Sequence, residues 1–142
     1  MKKIYNNLSI ENLVKTDWLF SHFNYRQRQE IKTGLKENID VSKYANPKYD
    51  WEQMREIRWG LEANLDVSIY AIPDFTNEQM NVIRCGLEAN IDISWYAKTR
   101  FSHEQMLEIY IGLITKIDVS QYATNKYTAK EMMTIRKKLE KV

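Results

Sequence analysis

The side chains of this 142-residue chain that could catalyse a reaction or hold a metal are read by their spacing. One cysteine, Cys85, and two histidines, His22 and His103, stand singly. A lone thiol with a distant imidazole is the minimum for a nucleophile pair. Cys85, however, falls in a helical column otherwise held by Thr33, Trp59, Ile111 and Lys137, which points to an ordinary surface thiol. His103 directly follows a helix cap, where solvent exposure is expected, and His22 has no counterpart in register. Two sets recur. Asp40, Asp66, Asp92 and Asp118, each two residues before a serine, offer oxygen ligands or acid/base groups. Met54, Met80 and Met106 form a column of sulfurs. Helix capping accounts for the aspartates and serines, and core filling for the methionines. No glycine-rich phosphate loop and no Cys/His cluster with zinc spacing occurs. The expectation is a protein that is not an enzyme and has no catalytic residue, metal or cofactor.

The elements that carry these residues repeat. Gly34, Gly60, Gly86 and Gly112 are spaced by 26 residues and are the only glycines. A leucine follows each, and the Asp, Ser and Tyr-Ala columns share the period. A fixed period of this length marks a solenoid. The expected fold is an all-α solenoid of about four and a half repeats, each a long helix and a short one. The units are 23–48, 49–74, 75–100 and 101–126, with a half repeat at 127–142. Residues 1–22 read as an N-terminal cap, a decayed half unit in which Leu13, Thr16 and Trp18 fall where Ile39, Ser42 and Tyr44 fall later.

Each long helix opens on a capping box: Asp50 with Gln53, Thr76 with Gln79, Ser102 with Gln105, Thr128 with Glu131. An aromatic residue, Tyr49, Phe75, Phe101 or Tyr127, precedes each box and can staple onto the helix. Met80, Ile83, Leu87 and Ile91 then form one helical stripe, echoed by Met54, Ile57, Leu61 and Leu65 and by Met106, Ile109, Leu113 and Ile117. The Asp of each Asp-Val/Ile-Ser-x-Tyr-Ala caps a second helix of one or two turns, which Pro47 and Pro73 end. A mid-helix glycine costs about 0.8–1 kcal/mol relative to alanine. Its recurrence predicts close approach of the next repeat's helix backbone. Arg58/Glu62, Arg84/Glu88 and Arg136/Glu140 are i, i+4 pairs, expected on the surface and worth about 0.3–0.5 kcal/mol each. In the fourth repeat both members change together, to Tyr110 and Ile114.

Hydrophobic residues make up 44% and charged residues 28%, as in an ordinary folded domain. Net charge is +2, but residues 1–48 sum to +4, 49–100 to −4 and 101–142 to +2. One cysteine allows no internal disulfide and fits a reducing compartment. The N-terminus lacks a signal-peptide apolar region, and no run is long enough for a membrane span. The expected location is cytoplasmic.

Recognition is expected in the columns that vary. The outward columns are Glu52, Arg55, Glu56, Trp59 and Ala63 in the second repeat, with Glu78, Asn81, Val82, Cys85 and Ala89 in the third. Leu107, Tyr110, Ile111 and Ile114 leave the fourth helix almost no polar side. They mark residues 107–114 as a dimer or partner surface, unless the C-terminal half repeat covers them. Trp59, Ile69, Ile72 and Trp95 form a second partner-binding set. Nucleic-acid binding is the alternative, drawn from the basic ends Lys2, Lys3, Arg26, Arg28, Lys32 and Lys137, Lys138, Lys141. The acidic column Glu52, Glu78, Glu104 opposes it.

Over residues 23–140, the unit [YF]-x-x-x-Q-M-x-x-I-R-x-G-L-E-x-x-[IL]-D-[VI]-S-x-Y-A-x-P resembles a 26-residue helical repeat of low-GC Gram-positive bacteria and their phages and plasmids. The first unit departs from it at Arg28, and the fourth at Tyr110 and Ile114. The resemblance implies a helical repeat and a mobile-element context. By association it implies an accessory protein that binds and blocks a host defence factor, of the anti-CRISPR or antirestriction type. It carries over no catalytic residue.

Overall fold

In a computed structural model, residues 21–141 are described. The cap with Leu13, Thr16 and Trp18, and the basic residues Lys2 and Lys3, lie outside them. The fold is an all-α helical repeat. The described residues contain five α-helices of twelve residues and no strand: α1 (Tyr25–Lys36), α2 (Trp51–Glu62), α3 (Asn77–Glu88), α4 (His103–Ile114) and α5 (Ala129–Glu140). Between them stand four single 3-10 turns, Val41–Lys43, Val67–Ile69, Ile93–Trp95 and Val119–Gln121. The second element of each repeat is therefore a single turn of 3-10 helix, the short end of the one or two turns expected. The chain divides into two compact units, one ending at Pro73 and one beginning at Asp74. In the first unit α1 packs on α2, and in the second α3 packs on α4 and α4 on α5.

All four expected capping boxes form, and Asn24 with Gln27 makes a fifth on α1. In each box the cap side chain accepts from the third residue's N–H, whose own side chain accepts from the cap's N–H. The glutamine has a further role. Gln27 Nε2 donates to the Tyr49 carbonyl at 2.6 Å, Gln79 to that of Phe101 at 2.6 Å and Gln105 to that of Tyr127 at 2.7 Å. One amide thus caps its own helix and holds the entry to the next. This sets neighbouring helix N-termini side by side, so the paired helices run parallel. Glu131 keeps the capping role on α5 without the amide.

The 3-10 turn packs back onto the helix before it. Tyr44, Tyr70, Tyr96 and Tyr122 are fully buried, beside Val41, Val67, Ile93 and Val119. Each tyrosine hydroxyl donates to a helix carbonyl fourteen residues earlier, those of Glu30, Glu56, Val82 and Glu108, at 2.7–2.8 Å. Those carbonyls lie four residues before the glycines. A Cβ on Gly86 would stand 2.6 Å from Ile93 Cγ2 and 3.2 Å from Tyr96 Cζ, and nearer still to the hydroxyl oxygen. The glycine therefore makes room for its own repeat's tyrosine, and not for the next helix backbone. Burial pushes the Tyr122 hydroxyl up to about 12, and raises Tyr44 and Tyr96 further in the same direction.

Helices α1 to α4 end on a left-handed residue, Asn38, Asn64, Asn90 or Lys116, with φ of 56–60°. Ile39 N–H donates to the Gly34 carbonyl and Asn38 N–H to that of Leu35, the Schellman pattern, repeated at each of these ends. The turn after each Tyr-Ala forms with or without proline. Lys98 and Thr124 make the same bond to the tyrosine carbonyl as Asn46 and Ile72 do. Pro47 and Pro73 suit that turn but do not cause it.

Candidate functional site

The stripe residues Met54, Ile57, Met80, Ile83, Met106 and Ile109 are completely buried, so the methionine column is core. The aromatic residues before the caps, Phe23, Tyr49, Phe75 and Phe101, are buried with them. Each aspartate caps its turn by accepting from the N–H and hydroxyl of the serine two residues on. These bonds hold the carboxyls of Asp66, Asp92 and Asp118 below the usual range. Among the described residues no three His, Cys, Asp or Glu side chains are grouped to hold a metal ion. No described helix is long and apolar enough to cross a membrane.

The Arg–Glu pairs are more than surface pairs. Arg58 is buried; its Nε donates to Glu30 Oε2 on the preceding helix at 2.8 Å and its Nη1 to Glu62 Oε1 at 2.5 Å. Arg136 repeats this, with Nε to Glu108 Oε2 at 2.8 Å and Nη1 to Glu140. Burial opposes the charge on Arg58, but its hydrogen bonds to the Glu30 and Glu62 carboxylates outweigh that and raise the guanidinium's pKa. Helix periodicity puts the column of Glu56 and Val82 on the outside. Both are buried, and Glu30 and Glu108, which share the column, face an arginine on the following helix of their own unit. The 28-residue register of Glu30 with Arg58 and Glu108 with Arg136 sets Val82 opposite Tyr110. Unit for unit, the charged triad Glu–Arg–Glu becomes Val82–Tyr110–Ile114.

A cleft of about 410 Å³ opens at the C-terminal ends of α1 and α2, lined by Glu37, Asn38, Ile39, Asp40, Leu61, Glu62 and Asn64. Its carboxylates are engaged: Glu62 by Arg58, and Asp40 by Ser42. Glu37 shares a hydrogen bond with Glu62, which raises the Glu37 pKa above its ordinary value despite Arg58 nearby.

Of the expected partner-binding residues, Leu107 (43%) and Ile114 (44%) are the most exposed, with Tyr110 and Ile111 half-buried beside them on α4. The packing of α5 on α4 leaves this face open. In the first unit Ile69 and Ile72 are exposed on and just after a 3-10 turn; in the second, Trp95 is exposed on its turn. Trp59 is half-buried, with the Arg55 guanidinium 4.8 Å from its ring. Arg55 also lies 4.8 Å from Trp51, and Arg26 lies 4.8 Å from Trp51. Reading the columns singly missed this ladder, although Trp51, Arg55 and Trp59 stand at i, i+4, i+8 in the sequence.

Comparison of the chain with family models, curated proteins and solved structures finds no match.

Proposed function

We propose that this chain is a non-enzymatic protein-binding module that makes its principal contact through α4. The observation that carries this reading is the apolar face of exposed Leu107 and Ile114 with half-buried Tyr110 and Ile111 between them, on the helix that supplies two of the three apolar residues replacing the repeat's charged triad. Scattered apolar residues on a surface need no explanation, but a contiguous stripe on one helix marks an interaction site. Trp59, Ile69, Ile72 and Trp95 supply secondary contacts. The partner is a protein. The resemblance to repeats of phage and plasmid proteins supports a cytoplasmic host defence factor that this chain binds and blocks. A second copy of the chain is the simplest occupant to test.

Size-exclusion chromatography with light scattering on the wild type and on Leu107→Glu/Ile111→Glu tests the face. A wild-type dimer and a folded monomeric variant support self-association. Two identical folded monomers end that part of the proposal. Capture of a host protein by the wild type but equally by the variant ends the assignment of the face.

A further inference from the structure

Four side chains of the first unit form a stack, Arg26–Trp51–Arg55–Trp59, each neighbour 4.8 Å from guanidinium carbon to ring centroid. Three come from one face of α2, and Arg26 reaches across from α1. Neither arginine forms an ion pair with a carboxylate among the described residues. The buried Nε of Arg55 meets no acceptor among the described residues.

The positions are unfavourable for the protein alone. Arg26 is the second residue of α1, where a cation opposes the helix dipole; Glu52, Glu78 and Glu104 hold that position in α2, α3 and α4, and of the five helices only α5, with Lys130, shares a cation there. Both guanidiniums lie against one ring, so two like charges are held under about 10 Å apart. Stacking fixes each planar fork and leaves its outer N–H groups as oriented donors. Such forks fit carboxylates with little loss of side-chain freedom on binding.

We propose that the Arg26–Trp51–Arg55–Trp59 ladder is the docking point for an acidic segment of a protein partner, each guanidinium taking one carboxylate. This rests on the protein-binding reading above and names the chemistry of the partner. A polynucleotide fits less well for three reasons. The Trp51 and Trp59 rings already lie against guanidiniums and offer poor platforms for bases. Glu52 stands beside Trp51. The matching positions of the second unit, Asn77, Asn81 and Cys85, His103, Leu107 and Ile111, or Ala129, Met133 and Lys137, hold a single cation and no ladder for a phosphate chain to follow.

The test is fluorescence anisotropy at physiological salt with three labelled probes: an alanine-based helical peptide with glutamates four residues apart, its glutamine analogue, and oligothymidylate. The glutamate peptide should bind the wild type and Leu107→Glu/Ile111→Glu alike, which separates this face from α4. Binding should weaken about tenfold in Arg26→Lys/Arg55→Lys, which keeps the charge and loses the planar forks. Arg26→Gln alone should weaken it several-fold and spares the half-buried Arg55 if the double variant unfolds. No binding of the glutamate peptide, equal binding by the lysine variant, equal binding of the glutamine analogue, or tighter binding of oligothymidylate each overturns the proposal.

Discussion

Replacing Gly86 with alanine sets two magnitudes against each other. Helix propensity alone favours alanine by about 0.8–1 kcal/mol. The new Cβ would meet Ile93 Cγ2 at 2.6 Å and Tyr96 Cζ at 3.2 Å, with the hydroxyl nearer still. The ring must withdraw, and the bond from its hydroxyl to the Val82 carbonyl at 2.8 Å goes with it. That bond is worth about 0.5–1.5 kcal/mol net. Overpacking a filled site adds about 1–3 kcal/mol. The net expectation is a loss of about 1–3 kcal/mol, measured by urea unfolding followed by helix circular dichroism. Tyr96→Phe removes the oxygen, so Gly86→Ala should cost at least about 0.5 kcal/mol less in that background. An alanine variant as stable as the wild type would show that the glycine does not serve the tyrosine. Strict additivity in the cycle would place the cost on Ile93 instead.

Lys116 adopts φ 60° where the other three helix ends use asparagine. Lys116→Asn or Lys116→Gly should therefore stabilise the chain by about 0.5–1 kcal/mol in thermal melts, and a loss would refute the strain. Glu37 has a raised pKa in the folded protein, through its hydrogen bond and repulsion with Glu62. The native state then holds that proton to higher pH than the unfolded chain, so stability falls as pH rises through the raised value. Glu37→Gln should accordingly raise the urea midpoint at neutral pH and flatten the fall above pH 4.5; an unchanged profile refutes the coupling. Val82→Glu alone should destabilise the second unit by about 2–4 kcal/mol, because it buries an unpaired carboxylate. Most of that loss should return in Val82→Glu/Tyr110→Arg/Ile114→Glu, and failure to recover would refute the 28-residue register.

The period, the helix starts and the core stripe were legible because each is a local pattern: a cap with its partner three residues on, and apolar residues at helical spacing. The left-handed Asn38, Asn64 and Asn90 could also have been found, since asparagine just past a helix is a known C-terminal signal. What escaped was contact at long separation. That Arg58 reaches Glu30 as well as Glu62 follows only once the helices are known to pack in parallel with a 28-residue register. The same blindness led to the wrong neighbour for the glycines, because a tyrosine ten residues on returns only if the element between is a single tight turn. At the candidate site, exposure of Leu107 and Ile114 followed from helix periodicity, whereas the Arg–Trp ladder needs Arg26 from another helix.

The departures of the fourth repeat gain meaning from this geometry. Tyr110 and Ile114 alone look like the loss of one weak surface pair. With Val82 they are the coordinated removal of an interhelix charge cluster, since any member left behind would be a buried or half-buried charge without its partner. Glu30–Arg58–Glu62 shows what the repeat's rule supplies at that interface, and Glu108–Arg136–Glu140 shows that the rule resumes directly afterwards. Stability does not require the exchange, because the charged version serves on both sides of it. A change that spans two helices, leaves every cap, glycine and tyrosine in place, and ends with Leu107 and Ile114 open on one face is therefore better explained by what α4 touches than by how it folds.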